Sequence, residues 1–413
     1  MSDILNVWYN EQLVGKLFRN AIDQIGFHYD KKWVRNGFSI SQQLPLTIIE
    51  YTPHEGIAHR FFANLLPEAN ARRHLIRDLK ISNSDFELLK TIGGECAGAL
   101  SILPENHVAT VKTHYQKLTD EDLHKIILRK GSTVGFTTEK NRPRLSLAGA
   151  QDKCAVYFDG KHYFLPKDAA PSTHILKFEV TDYRHIPAYE YFLTQLAKTI
   201  DLPVVNCELK KSDAHYFLLI ERYDRIIQHD KKIQRLHQED FCQALGVNHA
   251  QKYQQEGGPS FQDCFQLIRK ISAKPLIDTE NLLKWQIFNV LAGNSDGHAK
   301  NLAIIYDQQQ QARLAPFYDL VCTRAIERID SRLAFSVGGE FNPDRISVAH
   351  WENLATTCKI GKPYLKKFIQ QIAVDLMDNI TIVKKQFEEM HGAYPALLRV
   401  QMMVTKRCKK ELR

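Results

Sequence analysis

Residues 294–301 read Asn-Ser-Asp-Gly-His-Ala-Lys-Asn, and residues 315–320 read Ala-Pro-Phe-Tyr-Asp-Leu. Asp296 and Asn301 stand five apart in a loop that follows an amphipathic helix (282–291) and precedes a strand. This is the spacing at which a kinase-type catalytic loop, D-x-x-x-x-N, sets a base beside the acceptor hydroxyl and an amide oxygen on Mg²⁺. Asp319, eighteen residues beyond Asn301, lies where a second metal-holding carboxylate is expected, because the phosphate oxygens need cations on both sides. Read alone, Asp296 is equally an ordinary turn or N-cap aspartate.

Upstream, Lys177 lies inside the apolar stretch His174-Ile-Leu-Lys-Phe-Glu. A lysine on a strand wall can clamp phosphates, with Glu190 of the next helix as its partner, or it can simply snorkel to water. Residues 146–153, Ser-Leu-Ala-Gly-Ala-Gln-Asp-Lys, carry small side chains that let backbone N–H groups approach phosphates. Glu221-Arg-Tyr-Asp ends a strand where a hinge would offer backbone groups to an adenine. Glu221 and Asp224 also fit surface ion pairs with Arg222 and Arg225. Each element is weak alone. Their order, loop, lysine strand, helix, hinge, catalytic loop, metal aspartate, is that of a two-lobed kinase.

The rest of the chain is consistent with this order. At 413 residues it predicts two or three packed units, and 44% hydrophobic with 25% charged residues is the balance of a folded globular protein. No apolar run spans a bilayer and no signal pattern opens the sequence, so the expectation is a cytoplasmic protein without a membrane partner. The eight cysteines are scattered singly and read as reduced core thiols. The net charge is +8, and residues 359–413 carry twelve basic against five acidic side chains. Such a lobe can face phosphates or an acidic partner, or be no more than solvated helix faces.

Strands are expected at 5–9, 13–18 and 38–46, a helical stretch at 57–79 broken by Pro67, and a helix over 86–92. A short helix should start at Thr119. Residues 129–147 read as a polar, mobile loop. Strands follow at 154–158, 162–165 and 174–179, a helix at 187–199, strands at 204–210 and 215–220, and a mainly helical remainder with a strand pair near 302–306 and 313–316. The fold class is therefore α+β: a β-rich N-lobe with an extra N-terminal subdomain and a mainly helical C-lobe, with a ligand expected in the cleft. The boundaries expected are 1–105, 106–225 and 226–413.

The segments LSLAGAQDK (145–153), THILKFE (173–179), ERYDR (221–225), HQEDFCQALG (237–246), KYQQEGGPSF (252–261), GNSDGHAKNL (293–302) and APFYDL (315–320) resemble, in order and spacing, the motifs of the HipA family. These are bacterial serine/threonine kinases, the toxin halves of toxin–antitoxin pairs. FFANLLPEANARR (61–73) and IGGECAGALSILPE (92–105) resemble the N-terminal subdomain of the long HipA form. The resemblance implies Mg²⁺ and ATP as cofactors, Asp296 as catalytic base, and Asn301 and Asp319 as Mg²⁺ ligands. It places Lys177, Ala148, Gly149, Ala150, Gln151, Asp152, Lys153, His298, Ala299, Lys300, Asn301, Tyr318 and Asp319 around ATP, with Glu221, Arg222 and Tyr223 as the hinge.

Ser146, beside Arg142 and Arg144, falls at the family's autophosphorylated serine. The partners implied are a helix-turn-helix antitoxin, an aminoacyl-tRNA synthetase as protein substrate, and operator DNA, reached mainly through the antitoxin. The loop that is lysine-rich in some relatives reads Glu340-Phe-Asn-Pro-Asp-Arg here. Two other readings share parts of the pattern: a catalytically weak co-repressor or scaffold, and a small-molecule kinase of the aminoglycoside type.

Overall fold

The structure is a computed structural model that describes residues 3–107, 114–133, 144, 146, 148–149, 151–167, 169–180, 183–230 and 232–412. The chain forms two compact units, Met1–Phe178 with Lys210–Ala250 and Ile304–Gln311, and Glu179–Leu209 with Gln251–Ala303 and Ala312–Arg413.

The first unit opens with an antiparallel sheet of five strands: β1 (Leu5–Tyr9), β2 (Gln12–Arg19), β3 (Ile25–Tyr29), β4 (Glu50–Tyr51) and β5 (Leu100–Pro104), in the order β4-β3-β2-β1-β5. Its buried side chains, among them Leu5, Val7, Leu17, Phe27 and Tyr29, share one core with Phe61, Phe62, Phe86 and Leu89. Those last four come from α2 (Ile57–Ala63) and α4 (Asp85–Ile92), which follow the short α1 (Lys31–Asn36) and flank α3 (Ala69–Leu79). The expected helical stretch over 57–79 is thus two helices parted around Pro67, since proline cannot donate to a helix interior.

The strand expected at 38–46 does not form. That segment's backbone groups are taken by side chains: Ile40 N donates to Tyr29 Oη (3.2 Å), Tyr29 Oη donates to Leu44 O (2.6 Å), and Leu46 N donates to Ser39 Oγ (3.1 Å). The third strand is Ile25–Tyr29 instead, whose alternation of Ile25, Phe27 and Tyr29 toward the core is the period-2 pattern of a half-buried strand.

A second sheet comprises β6 (Tyr115–Lys117), β7 (Lys153–Phe158), β8 (Tyr163–Pro166), β9 (His174–Phe178), β10 (Cys207–Ser212) and β11 (His215–Glu221), in the order β10-β11-β9-β7-β8-β6. Because successive residues of a strand face opposite ways, Cys154, Val156, Leu176, Phe178, Phe217 and Leu219 share one buried face. That face packs with Leu123, Ile126 and Ile127 of α5 (Asp120–Leu128). α5 starts where expected: Asp122 N donates to Thr119 Oγ1 and Thr119 N to Asp122 Oδ2, both at 3.1 Å. Lys177 and its cross-strand partners Lys153 and Leu218 lie on the opposite face by the same alternation.

Inside this unit Glu239 is buried and accepts from Ser41 Oγ (2.6 Å) and Tyr306 Oη (2.5 Å), while the neighbouring His237 donates from Nε2 to Ile40 O (2.7 Å). Burial pushes the Glu239 carboxyl up to about 7, against the hydrogen bonds from Ser41 and Tyr306, with nearby Asp240 adding to the rise. Burial also pushes His237 down to about 4. The two titrations oppose each other. Glu239 contributes stability that is lost as pH rises from about 4.5 toward 7, whereas His237 contributes stability that is lost as pH falls from about 6.5 toward 4. Glu239→Gln removes the first effect and leaves the second, so this variant's stability should climb with pH across about 4–6.5 by roughly 3 kcal/mol more than wild type. Urea unfolding at stepped pH checks this; parallel wild-type and variant curves would count against the buried carboxylic acid.

The second unit is mainly helical: Ile186–Lys198, Phe261–Ile271, Pro275–Ala292, Val348–Cys358, Lys362–His391 and Ala396–Glu411. Among the described residues no helix is long and apolar enough to cross a membrane. The eight cysteines form no disulfide with one another and seven are buried, as expected for core residues.

Candidate active site

The helix Pro275–Ala292 begins with proline in its first turn and ends at Gly293, whose φ of +71° and N–H bond to Asn289 O form a left-handed cap. That cap turns the chain into the 294–301 loop. Trp285 of this helix is fully buried and stacks on Phe317 (centroids 5.7 Å, planes 15° apart), tying the helix to the segment that carries Asp319. Gly297 passes so close to the helix that a Cβ there would meet Asn289 Nδ2 at 2.6 Å. Asn294 donates from Nδ2 to Asn289 Oδ1 (3.0 Å) and accepts from Asp296 N (3.1 Å), and Ser295 N donates to Thr323 Oγ1 (2.8 Å).

On this frame the Asp296 side chain is about half exposed, at 49%. Tyr253 Oη donates to its Oδ1 at 2.5 Å, and His298 Nε2 lies 4.0 Å from the same oxygen. Asn301 donates from Nδ2 to the Asp296 backbone oxygen at 3.0 Å, which fixes the amide so that its Oδ1 is the atom left to take a cation. Tyr318 Oη donates to Lys300 O at 2.9 Å. Asp319 adopts φ of +61°, a left-handed conformation that aspartate tolerates better than most residues other than glycine. His298, Ala299, Lys300 and Asn301, the second half of the loop, are buried. The second unit therefore holds Asp296, His298, Asn301, Tyr318 and Asp319 on one framework.

The other candidates fall in the first unit. Lys153 and Lys177 are directly opposite each other across β7 and β9, and Lys177 is buried. Like charges in that relation repel, and an anion on the same face offsets the repulsion. Gln151 Nε2 donates to Phe178 O (2.8 Å), and Lys153 Nζ donates to Ala148 O, which closes the turn onto the strand. Asp152 lies 3.2 Å from His74 Nδ1 of α3. Glu68 N donates to Gly149 O (3.0 Å). Ala150 lies outside the described residues.

Ser146, read from sequence as part of a mobile loop, is fully buried: its Oγ donates to Leu65 O and its N–H to Glu95 O, both at 2.8 Å. At the hinge Glu221 is exposed, whereas Arg222 is buried. The Arg222 guanidinium is taken up by Asp224, Glu95 and the Cys96 carbonyl, so any contact it makes with a base is through its backbone. Tyr223 Oη donates to Gln238 Oε1. The Asp224 pairs with Arg222 and Arg225 do form, in the interior and not at the surface.

Two contributors had no assigned role in the sequence. Tyr253 sits in KYQQEGGPSF, and the motif itself is the only sequence signal for it. Glu95 sits in IGGECAGAL and is a fully buried carboxylate ringed by Arg222, Arg225 and Arg235.

Comparison with known proteins covers the same two regions. A HipA N-terminal domain model matches residues 5–103 and a HipA-like C-terminal domain model matches residues 145–380. The protein Y4mE of Sinorhizobium fredii is 34% identical over 395 residues, covering 94% of this chain and 93% of its own. The serine/threonine-protein kinase toxin HipA of Shewanella oneidensis is 30% identical over 364 residues, covering 83% and 80%. The solved complex of Shewanella oneidensis HipA with HipB and operator DNA contains a chain that superposes with a TM-score of 0.84 at 26% identity, covering 98% of this chain and 97% of that one. With domain models matched along most of its length and relatives similar from end to end, the chain belongs to the HipA family of toxin kinases.

Proposed function

We propose that this protein is a serine/threonine-protein kinase toxin that transfers the γ-phosphoryl group of Mg-ATP to a protein hydroxyl and phosphorylates its own Ser146. The observation that carries the reading is the half-exposed Asp296 carboxylate, oriented by Tyr253 and backed by Asn301 and the left-handed Asp319. Asp296 accepts the proton of the attacking hydroxyl. Asn301 Oδ1 and the Asp319 carboxylate are hard oxygen donors suited to Mg²⁺, which takes one or two protein ligands and fills its shell with phosphate oxygens and water. Bound Mg²⁺ supplies neutralisation of phosphate charge.

Lys177, Lys153 and the Ala148–Lys153 turn meet the phosphates in this reading, and Glu221 to Tyr223 meet the base. Glu190 is buried in the helix Ile186–Lys198 of the second unit. The protein substrate is of the aminoacyl-tRNA synthetase class, and a helix-turn-helix antitoxin like the HipB of the solved complex carries the kinase to operator DNA. The antitoxin and DNA in this reading draw on the partners present in the solved complex, and the substrate class is what the family resemblance implies. Because Ser146 is buried, its hydroxyl must leave the Leu65 carbonyl to receive a phosphoryl group. The added charge of about −2 then bars its return to a site without water.

The test is an intact-mass spectrum of the full chain before and after Mg-ATP, with peptide mapping. One phosphate on Ser146 is the expected result. A protein that binds ATP and stays unmodified would remove Ser146 from the scheme, and one that binds no nucleotide would leave the co-repressor reading in its place.

A further inference from the structure

Glu95 belongs to the region matched by the N-terminal domain model, yet it touches both ends of the candidate nucleotide site in the first unit. Its backbone grips the Ser146 segment from two sides: Glu95 N donates to Arg144 O (2.7 Å), and Ser146 N donates to Glu95 O (2.8 Å). Its carboxylate holds the hinge. Oε1 accepts from Arg222 Nη1 (3.0 Å), Arg225 Nη2 (2.8 Å), Ser172 N (3.0 Å) and Ser172 Oγ (2.8 Å), and Oε2 lies 2.7 Å from Arg235 Nη2. Asp224 completes the cluster, accepting from Arg222 Nε (3.0 Å) and from Gly98 N (2.7 Å).

Three guanidiniums face two buried carboxylates, so every bond to the Glu95 carboxylate is charge-assisted and buried, and moving the side chain would break several of them at once. A backbone whose side chain is fixed in this way is a rigid rail. The two hydrogen bonds to residues 144 and 146 gain their strength from that rigidity, because the loop alone bears the entropy of docking.

We propose that Glu95 is a positioning residue of the kinase: its carboxylate, locked by Arg222, Arg225, Arg235 and Ser172, holds the Ser146 segment in the buried position and couples that position to the hinge. The proposal rests on the kinase reading for its functional consequence, whereas the mechanical part stands on these contacts alone. Loosening the carboxylate should release the Ser146 segment without disturbing the strands β1 and β2, whose hydrogen bonds the carboxylate does not make.

The experiment is hydrogen exchange on the full chain without nucleotide, for wild type, Glu95→Gln and the milder Ser172→Ala, which removes the hydroxyl that donates to the same oxygen and accepts from Arg222 Nη1 but leaves the carboxylate and its arginines in place. The peptide carrying Ser146 should exchange about 10- to 100-fold faster in Glu95→Gln, the scale of losing a charge-assisted hydrogen bond, and a few-fold faster in Ser172→Ala, with residues 5–19 unchanged in both. The same variants should raise the KM for ATP more than they lower kcat, since the loop is displaced while the Asp296 framework is intact.

Unchanged exchange at Ser146 in both variants would overturn the proposal, as would equal acceleration at residues 5–19, which marks a merely structural role. If Glu95→Gln does not fold, Ser172→Ala decides the matter by the same readout. A chain whose exchange responds as expected but which transfers no phosphate would refute the kinase reading and leave the positioning role in place.

Discussion

Asp296→Gln is expected to lower phosphoryl transfer about 10³-fold while leaving ATP affinity within about twofold of wild type. The separation follows from what each atom does. In the proposed reaction the side chain is the general base, and a carboxamide cannot take a proton from the attacking hydroxyl. The backbone oxygen of Asp296 is what orients Asn301, and a side-chain replacement leaves that 3.0 Å bond in place. The Tyr253 hydroxyl, now 2.5 Å from Oδ1, can still donate to an amide oxygen, so the loop has no unsatisfied donor to drive rearrangement. Gly293, Gly297 and the Trp285–Phe317 stack, which set the loop's path, are untouched. Single-turnover phosphorylation with a separate nucleotide titration reads the two quantities. Transfer within about tenfold of wild type would move the base elsewhere, and a parallel loss of nucleotide binding would make Asp296 a structural or ligand-binding residue.

The parts of this protein that were legible in sequence are those with short-range signatures. The candidate catalytic loop shows its residues at fixed spacing within eight positions, and the helix at Thr119 shows its capping box within four. Lys177 was expected on a strand wall, and the register of β7, β9 and β11 puts it on the face away from the apolar core. The features that were missed are held by partners far apart in the chain. Glu95 and Arg222 are 127 positions apart, and Glu239 and Ser41 are 198 apart, so neither pairing leaves a periodic trace.

Residues 38–46 have strand-like composition, but Tyr29 takes their backbone groups with its hydroxyl, a choice no local propensity encodes. Ser146 shows the same limit. Its surroundings are polar and turn-rich, and its burial is decided by Leu65 and Glu95, which belong to another region of the chain.

That long-range cluster should also be where stability is most concentrated. Asp224→Asn is expected to cost about 3–5 kcal/mol, because it removes one of two anions from among three buried guanidiniums and leaves the Arg222 and Arg225 donors facing an amide that also donates. Burial works against the Asp224 carboxylate, but Arg222 and Arg225 outweigh it and hold its pKa far below the ordinary aspartate range. The sign of the pH dependence follows. A depressed folded pKa contributes stability that is present above the unfolded value of about 4 and is lost as pH falls through the folded value. The deficit of the asparagine variant should therefore be full at neutral pH and shrink in acid, as wild type loses the same contribution.

Urea unfolding followed by the emission of Trp8 and Trp33, both in the first unit, reads this unit's transition, although Trp285 and Trp351 report on the second and must be replaced first. A midpoint shift worth less than about 1 kcal/mol with unchanged slope would mean that the arginines find other acceptors once the charge is gone. The cluster would then be a specificity device that fixes how the hinge and the IGGECAGAL segment meet, and not a source of stability.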